Sequence, residues 1–176
     1  MKTDQGAIYW TLLKEKDWNM YIAATTNGLC FVGSQNKSLE ELTDWAQKHF
    51  PEGSIVEDVE KLKPYANEIL EYLQGNSKTF TCPVDFNGTD FQLAVWHALR
   101  EIPYGQTKSY SDIAKAIDKP TAVRAVGAAI GANPILITVP CHRVVAKDGS
   151  LTGYRGGIEM KKQLLELETR GLGRGV

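Results

Sequence analysis

Hydrophobic and polar positions change their rhythm twice along the chain. Ala7–Leu13, Trp18–Ala24 and Leu29–Val32 are short runs of aromatic and β-branched residues, the pattern of half-buried strands. Lys14–Asp17 separates the first two, and Asn27-Gly28, a hairpin dipeptide, precedes the third. Together they predict a small antiparallel sheet. From Ser38 the spacing turns helical. Ser38-Leu39-Glu40-Glu41 reads as a capping box opening a helix to about Phe50. A second amphipathic helix is predicted over Val59–Leu73, interrupted at Pro64, and Thr79–Val84 reads as a short strand.

Beyond Phe86-Asn87-Gly88 the pattern is mostly helical. Thr89-x-x-Gln92 caps a helix carrying Phe91, Val95, Ala98, Leu99 and Ile102, which Pro103 and Gly105 end. Ser109-x-x-Asp112 opens a short helix. Asp118-Lys119-Pro120 is a turn, with Pro120 placed to start a small-residue helix from Thr121 to about Ile130. Two short helices joined by a tight turn suggest a helix-turn-helix, a pattern that ordinary packing units share. Ile135–Val139 reads as an extended apolar run leading into Pro140-Cys141-His142-Arg143. A last helix is expected from about Ile158 to Thr169, with Gly171–Gly175 as a frayed tail. The fold class expected is α+β. A sheet-plus-helix domain spans 1–86, and a mostly helical domain with the helix-turn-helix spans 87–176.

A 176-residue chain with 43% hydrophobic and 23% charged residues has the composition of a globular protein, without a membrane-length apolar stretch. Met1–Gly6 shows no secretory signal, so the cytoplasm is expected. Cys30, Cys82 and Cys141 are odd in number and widely spaced, which excludes a disulfide framework. With His49, His97 and His142 scattered, no metal site is expected. The net charge of −1 conceals an asymmetry. Residues 1–89 hold 8 Lys/Arg against 13 Asp/Glu, whereas residues 90–176 hold 12 against 8. The second part alone suits an anionic partner.

The candidate chemistry is at Cys141-His142. A thiolate is a strong nucleophile, and the thiol needs a base or positive field to form it. An imidazole base in turn needs an orienting carboxylate, for which Glu166 and Glu168 are the candidates. On a strand, neighbours point to opposite faces, so a relaying water or a sharp turn after Pro140 would be required. By themselves these residues leave open a buried thiol beside a backbone-bonded histidine. Cys30, Cys82, His49 and His97 are read as structural.

Several motifs occur in one order over residues 89–169: Ile102-Pro103-Tyr104-Gly105-Gln106-Thr107, Ser109-Tyr110, Arg124-Ala125-Val126-Gly127, Ala132-Asn133-Pro134, Pro140-Cys141-His142-Arg143-Val144 and Gly153-Tyr154-x-Gly156-Gly157. This region resembles the O6-alkylguanine-DNA alkyltransferases. The resemblance implies a DNA repair protein that enters the minor groove of duplex DNA, flips out O6-alkylguanine and takes the alkyl group irreversibly onto Cys141. His142 is then the base, acting through a water, Glu168 its orienting group, and Asn133 the brace of the active turn. Tyr110, Ser111, Lys119, Arg124 and Lys147 fall on the DNA side, with Arg124 holding the place of the extruded base. Val144, Tyr154, Arg155 and Gly156, with Tyr110, line the alkylguanine pocket. Lys108, Lys115 and Arg143 are further candidates for phosphate contacts. Arg155 stands where many members have a small residue, which predicts altered tolerance for bulky alkyl groups. The implied protein is a single-turnover transferase, monomeric by default, with no cofactor and no membrane partner. A damage sensor of related sequence would lack Cys141. A helix-turn-helix regulator leaves Cys141-His142 unexplained, and a cysteine hydrolase would turn over.

Overall fold

The computed structural model describes residues 6–173. The start Met1–Gln5 and the tail residues Arg174 and Gly175, used above for the signal and fraying arguments, lie outside the described residues. β1 (Ala7–Glu15), β2 (Trp18–Ala24) and β3 (Leu29–Val32) form an antiparallel meander. The sheet is not wholly antiparallel, because β4 (Ser54–Glu57) adds a parallel edge against β1, giving the order β3-β2-β1-β4. All four β4 residues are exposed, so no burial pattern announces that strand.

The sheet residues divide between two cores, by period-two alternation in β2 and with Cys30 and Phe31 together in β3. Ile8, Ala23, Cys30 and Phe31 pack beneath α1 (Leu39–His49) with Leu42 and Ala46. Met20, Ile22, Leu13 and Val32 face the larger core beneath α2 (Val59–Leu73), which continues into the second part of the chain. Helix α2 is unbroken despite Pro64. A proline inside a helix costs about 3 kcal/mol. The buried side chains Leu62, Ile69, Tyr72 and Leu73 return about 1.5–3 kcal/mol each, so packing wins.

The box expected at Ser38 does not form. Ser38 is the N-cap without a side-chain bond, because Glu41 is engaged elsewhere. Nor is Thr79–Val84 a strand. Only Val84 makes a bridge, to Leu29, while the Thr81 and Cys82 amides bond to the Glu68 carboxylate. The boxes at Thr89 and Ser109 are both complete, opening α3 (Asp90–Arg100) and α4 (Tyr110–Ala116). α5 (Val123–Gly131) starts after Ala122, so Pro120 belongs to the preceding turn and not to the first helical position. Residues 134–140 form a turn rather than an extended run, with Ile137 at φ 67°. The final helix, α6 (Ile158–Gly173), carries Gly171 within it instead of fraying there. No helix among the described residues is long and apolar enough to cross a membrane.

Candidate active site

One side chain and a short strand ladder set the position of Cys141. Asn133, fully buried after α5, donates its amide to the carbonyls of Ile135 and Val139 and accepts from the Ile135 amide. This stitches the 134–140 turn, including the left-handed Ile137, an uncommon conformation for a β-branched residue. The same Asn133 Nδ2 lies 3.2 Å from Cys141 Sγ. Cys141–Arg143 is one 3₁₀ turn, leading into β6 (Val144–Val145), which pairs with β5 (Lys108–Ser109). That two-residue ladder sets the start of α4 beside the active turn.

Burial pushes the Cys141 thiol up, only partly offset by the Asn133 amide and by Arg155 and Lys161. The resting group is therefore a thiol, which needs a base before it can act as a nucleophile. The imidazole of His142 follows it directly in sequence. Its Nε2 is 2.7 Å from Glu168 Oε2, and its Nδ1 has no partner among the described residues. Burial lowers the imidazole's proton affinity against the opposing pull of Glu168, aided by the Arg143 and Lys161 charges. A neutral ring with Nε2–H on the carboxylate leaves the lone pair on Nδ1, the form that accepts a proton.

Glu168, 1% exposed, is the hub. Oε1 accepts from Gly105 N at 2.9 Å, and Arg143 Nε and Nη2 approach Oε2 at 3.0 and 2.8 Å. The Tyr72 hydroxyl donates to Oε2 as well. Burial opposes ionisation, but the hydrogen bonds from His142 and Arg143 and the Arg143 charge outweigh it and hold the carboxyl far below its ordinary value, at about 2. Glu166, two residues away on α6, is exposed. Arg143 is 5% exposed and also donates to the Ile102 carbonyl, so it is an internal ion and not a phosphate contact. Gly105 approaches α6 at φ 81°, where a Cβ would meet Leu172 at 2.6 Å.

A cleft of about 700 Å³ opens between α4, α5 and the 146–155 loop. Of the residues singled out from sequence, Tyr110, Ser111, Lys147, Tyr154 and Arg155 line it. Lys119 and Arg124 are exposed outside it, on the turn and the first turn of α5. Val144 is buried, and Gly156 packs where a Cβ would strike Met160 and Tyr154. Cys141, 2% exposed, sits close to Tyr154 and Arg155, whose electrostatics it influences. Across the cleft, Tyr110 Oη is 2.8 Å from Thr152 Oγ1. Among the described residues no cluster of His, Cys, Asp and Glu is arranged to hold a metal ion.

Residues 8–86 match the model of the 6-O-methylguanine DNA methyltransferase ribonuclease-like domain, and residues 90–170 match that of the same family's DNA binding domain. The chain belongs to the 6-O-methylguanine DNA methyltransferase family. It is 68% identical over 170 residues to the inducible methylated-DNA–protein-cysteine methyltransferase of Bacillus subtilis, covering 97% of this chain and 95% of that one. The structure of Mycobacterium tuberculosis O6-methylguanine methyltransferase superposes with a TM-score of 0.79 at 37% identity, covering 93% of both chains. A structure of Mycobacterium tuberculosis OGT in complex with DNA gives 0.76 at 36% identity, covering 93% of this chain and 94% of that one.

Within this family frame, three side chains at the site had no sequence signal. Lys161 is 1% exposed and donates to the Thr152 carbonyl at 3.1 Å, yet in sequence it is one of two adjacent lysines on a polar helix face. Thr152 and Tyr72 belong to segments read as loop and as ordinary helix core. Arg155 was singled out for its backbone, but its guanidinium does separate work. It donates to the carbonyls of Asn133, Pro134 and Val32 and to Glu41, and it stacks over Phe31. The clue available in sequence was Glu41, which looked like a capping residue and is instead the partner of Arg155 and Ser34.

Proposed function

We propose that this protein repairs duplex DNA by transferring the alkyl group of O6-alkylguanine to Cys141, once per molecule. The observation that carries the reading is a buried thiol braced by Asn133 next to a neutral His142 oriented by Glu168. His142 Nδ1 takes the thiol proton through a water. Sγ then attacks the alkyl carbon, the S–C bond forms as the C–O6 bond breaks, and guanine leaves with the electron pair. The imidazolium proton passes to the departing base. The alkyl group passes from DNA to the protein and the thiol proton passes the other way, so the balance calls for no cofactor.

A thiol this buried cannot reach a base stacked in a duplex, so the guanine is extruded into the cleft. The cleft has ample room for a flipped nucleotide, with Tyr110 and Tyr154 as apolar walls. α4 and α5 act as the helix-turn-helix in the minor groove. Ala125 and Ala128, small and exposed, allow close approach, while Arg124 fills the vacated stack and Lys119 and Lys147 meet phosphates. The division into domains falls at residue 86, the protein acts as a monomer, and its three free thiols suit the reducing cytoplasm.

Intact-protein mass spectrometry after mixing with duplex DNA bearing one O6-methylguanine tests the reading. A gain of one methyl group on Cys141, absent in Cys141→Ala, is expected; unchanged mass with lesion-selective binding would make the protein a sensor. Arg124→Ala is expected to slow transfer from duplex DNA by about tenfold or more, since unstacking costs a few kcal/mol. The free alkylated base, which needs no extrusion, should be far less affected, and equal losses on both substrates would remove Arg124 from the flipping role.

A further inference from the structure

Tyr72 lies in α2, within the part of the chain that precedes residue 86, yet its hydroxyl ends inside the hydrogen-bond system of the base. It donates to Glu168 Oε2 at 2.5 Å and lies 3.3 Å from His142 Nε2. The side chain is fully buried, with its ring packed against Phe80 and edge-on to Tyr104. Packing alone would be met by phenylalanine, and a hydroxyl is retained in a dry core only where it finds a partner. Here that partner is the carboxylate oxygen that His142 also uses.

We propose that Tyr72 is a positioning residue for alkyl transfer, through which the N-terminal sheet-and-helix part holds Glu168 and His142 in register for Cys141. This rests on the reading of His142 as the base. The carboxylate has a limited amount of charge to share among its donors. Each donor on Oε2 reduces the pull on His142 Nε2–H, so the phenol keeps the ring neutral as well as aligned. The charged and titratable groups around the ring are Glu168 and Lys161 from α6, Arg143 beside it and Tyr72 from α2, with Tyr104 behind Tyr72. Of these, Tyr72 alone is contributed by the N-terminal part. This gives that part a chemical role distinct from support.

Tyr72→Phe isolates the hydroxyl. Without it, Glu168 draws more strongly on the imidazole, and His142 holds its proton to higher pH. The ratio of single-turnover transfer rates at pH 8 and pH 6 is then expected to rise about threefold or more. The His142 ring-proton NMR titration should move to higher pH in parallel. Phe80→Leu, which disturbs the packing and spares the hydroxyl, should leave both unchanged, and thermal unfolding reports whether each variant folds. Unaltered pH profile and His142 titration in folded Tyr72→Phe overturn the proposal. The titration is read without any alkyl transfer, so it separates the two failures. A wild-type protein that gains no methyl group overturns the base reading and this role with it.

Discussion

Glu168→Ala is expected to lower the unfolding free energy by about 3–5 kcal/mol, the usual cost of removing one partner of a buried ion pair. Arg143, 5% exposed, would keep its charge with the Ile102 carbonyl and the Tyr104 ring face but without a counter-ion. The Gly105 amide and the Tyr72 hydroxyl would lose their acceptor, and His142 Nε2 its orienting group. Against a total stability of about 5–15 kcal/mol this is a large fraction. Glu168→Gln keeps an acceptor oxygen without the charge and should fall between the two. Urea unfolding midpoints measure both, and a loss in Glu168→Ala below about 1 kcal/mol would mean that the Arg143 charge is solvated.

Acid should weaken the same hub reversibly. The folded Glu168 carboxyl stands at about 2 against an ordinary 4.5, so its contribution is full above pH 4.5 and is lost as pH falls through 2. His142 adds a loss of the same sign that starts earlier. Its folded form is held neutral, so the unfolded chain takes up the proton first as pH drops below 6.5. Stability is therefore expected to decline from pH 7 toward pH 4 and then more steeply, and a flat profile over that range would contradict a neutral buried His142.

Arg155→Ala is the second large effect, expected at about 2 kcal/mol. Hydrogen bonds from a charged donor contribute about 1.5–3 kcal/mol each when buried, but the side chains of Arg155 and Glu41 are 21% and 24% exposed, which discounts their ion pair. The substitution removes a donor from the carbonyls of Val32, Asn133 and Pro134, the last still held by the Val32 amide, so it loosens β3 and α1 on the turn that carries Asn133. Because Asn133 Nδ2 touches Sγ, transfer should slow as well as stability fall. Arg155→Lys should restore little, since an ammonium cannot span that set of acceptors. The rate ratio for methyl and benzyl substrates gives a separate reading of the pocket wall. An unchanged ratio with lowered stability would assign Arg155 to the clamp alone.

The three meander strands and the helices over 39–49, 59–73 and 90–100 were legible because each is declared by neighbours in sequence: alternation, amphipathic spacing, the Thr89 box. The boxes at Thr89 and Ser109 formed where nothing competed for Gln92 or Asp112. Ser38 presented the same pattern and formed none, because Arg155 and Ser34 claim Glu41 from far along the chain. The β4 strand escaped notice for a related reason. Four exposed residues carry no periodic burial, and only the adjacent edge of β1 makes them a strand.

Cys141, His142 and Asn133 could be named from their motifs, which are short and contiguous. Their working state could not. Whether Cys141 rests as thiol or thiolate depends on burial, which a dipeptide does not encode. Spacing left Glu166 and Glu168 open and the resemblance pointed to Glu168; what brings it to His142 is the rotation of α6 against the 3₁₀ turn. That Arg143 is an internal ion, and that Tyr72 reaches the base from 70 residues away, follows from packing two parts of the chain into one core. Local propensity acts over a few residues and can be read along the chain, whereas desolvation and ion pairing depend on what the fold brings within about 4 Å, and exist only once it has formed.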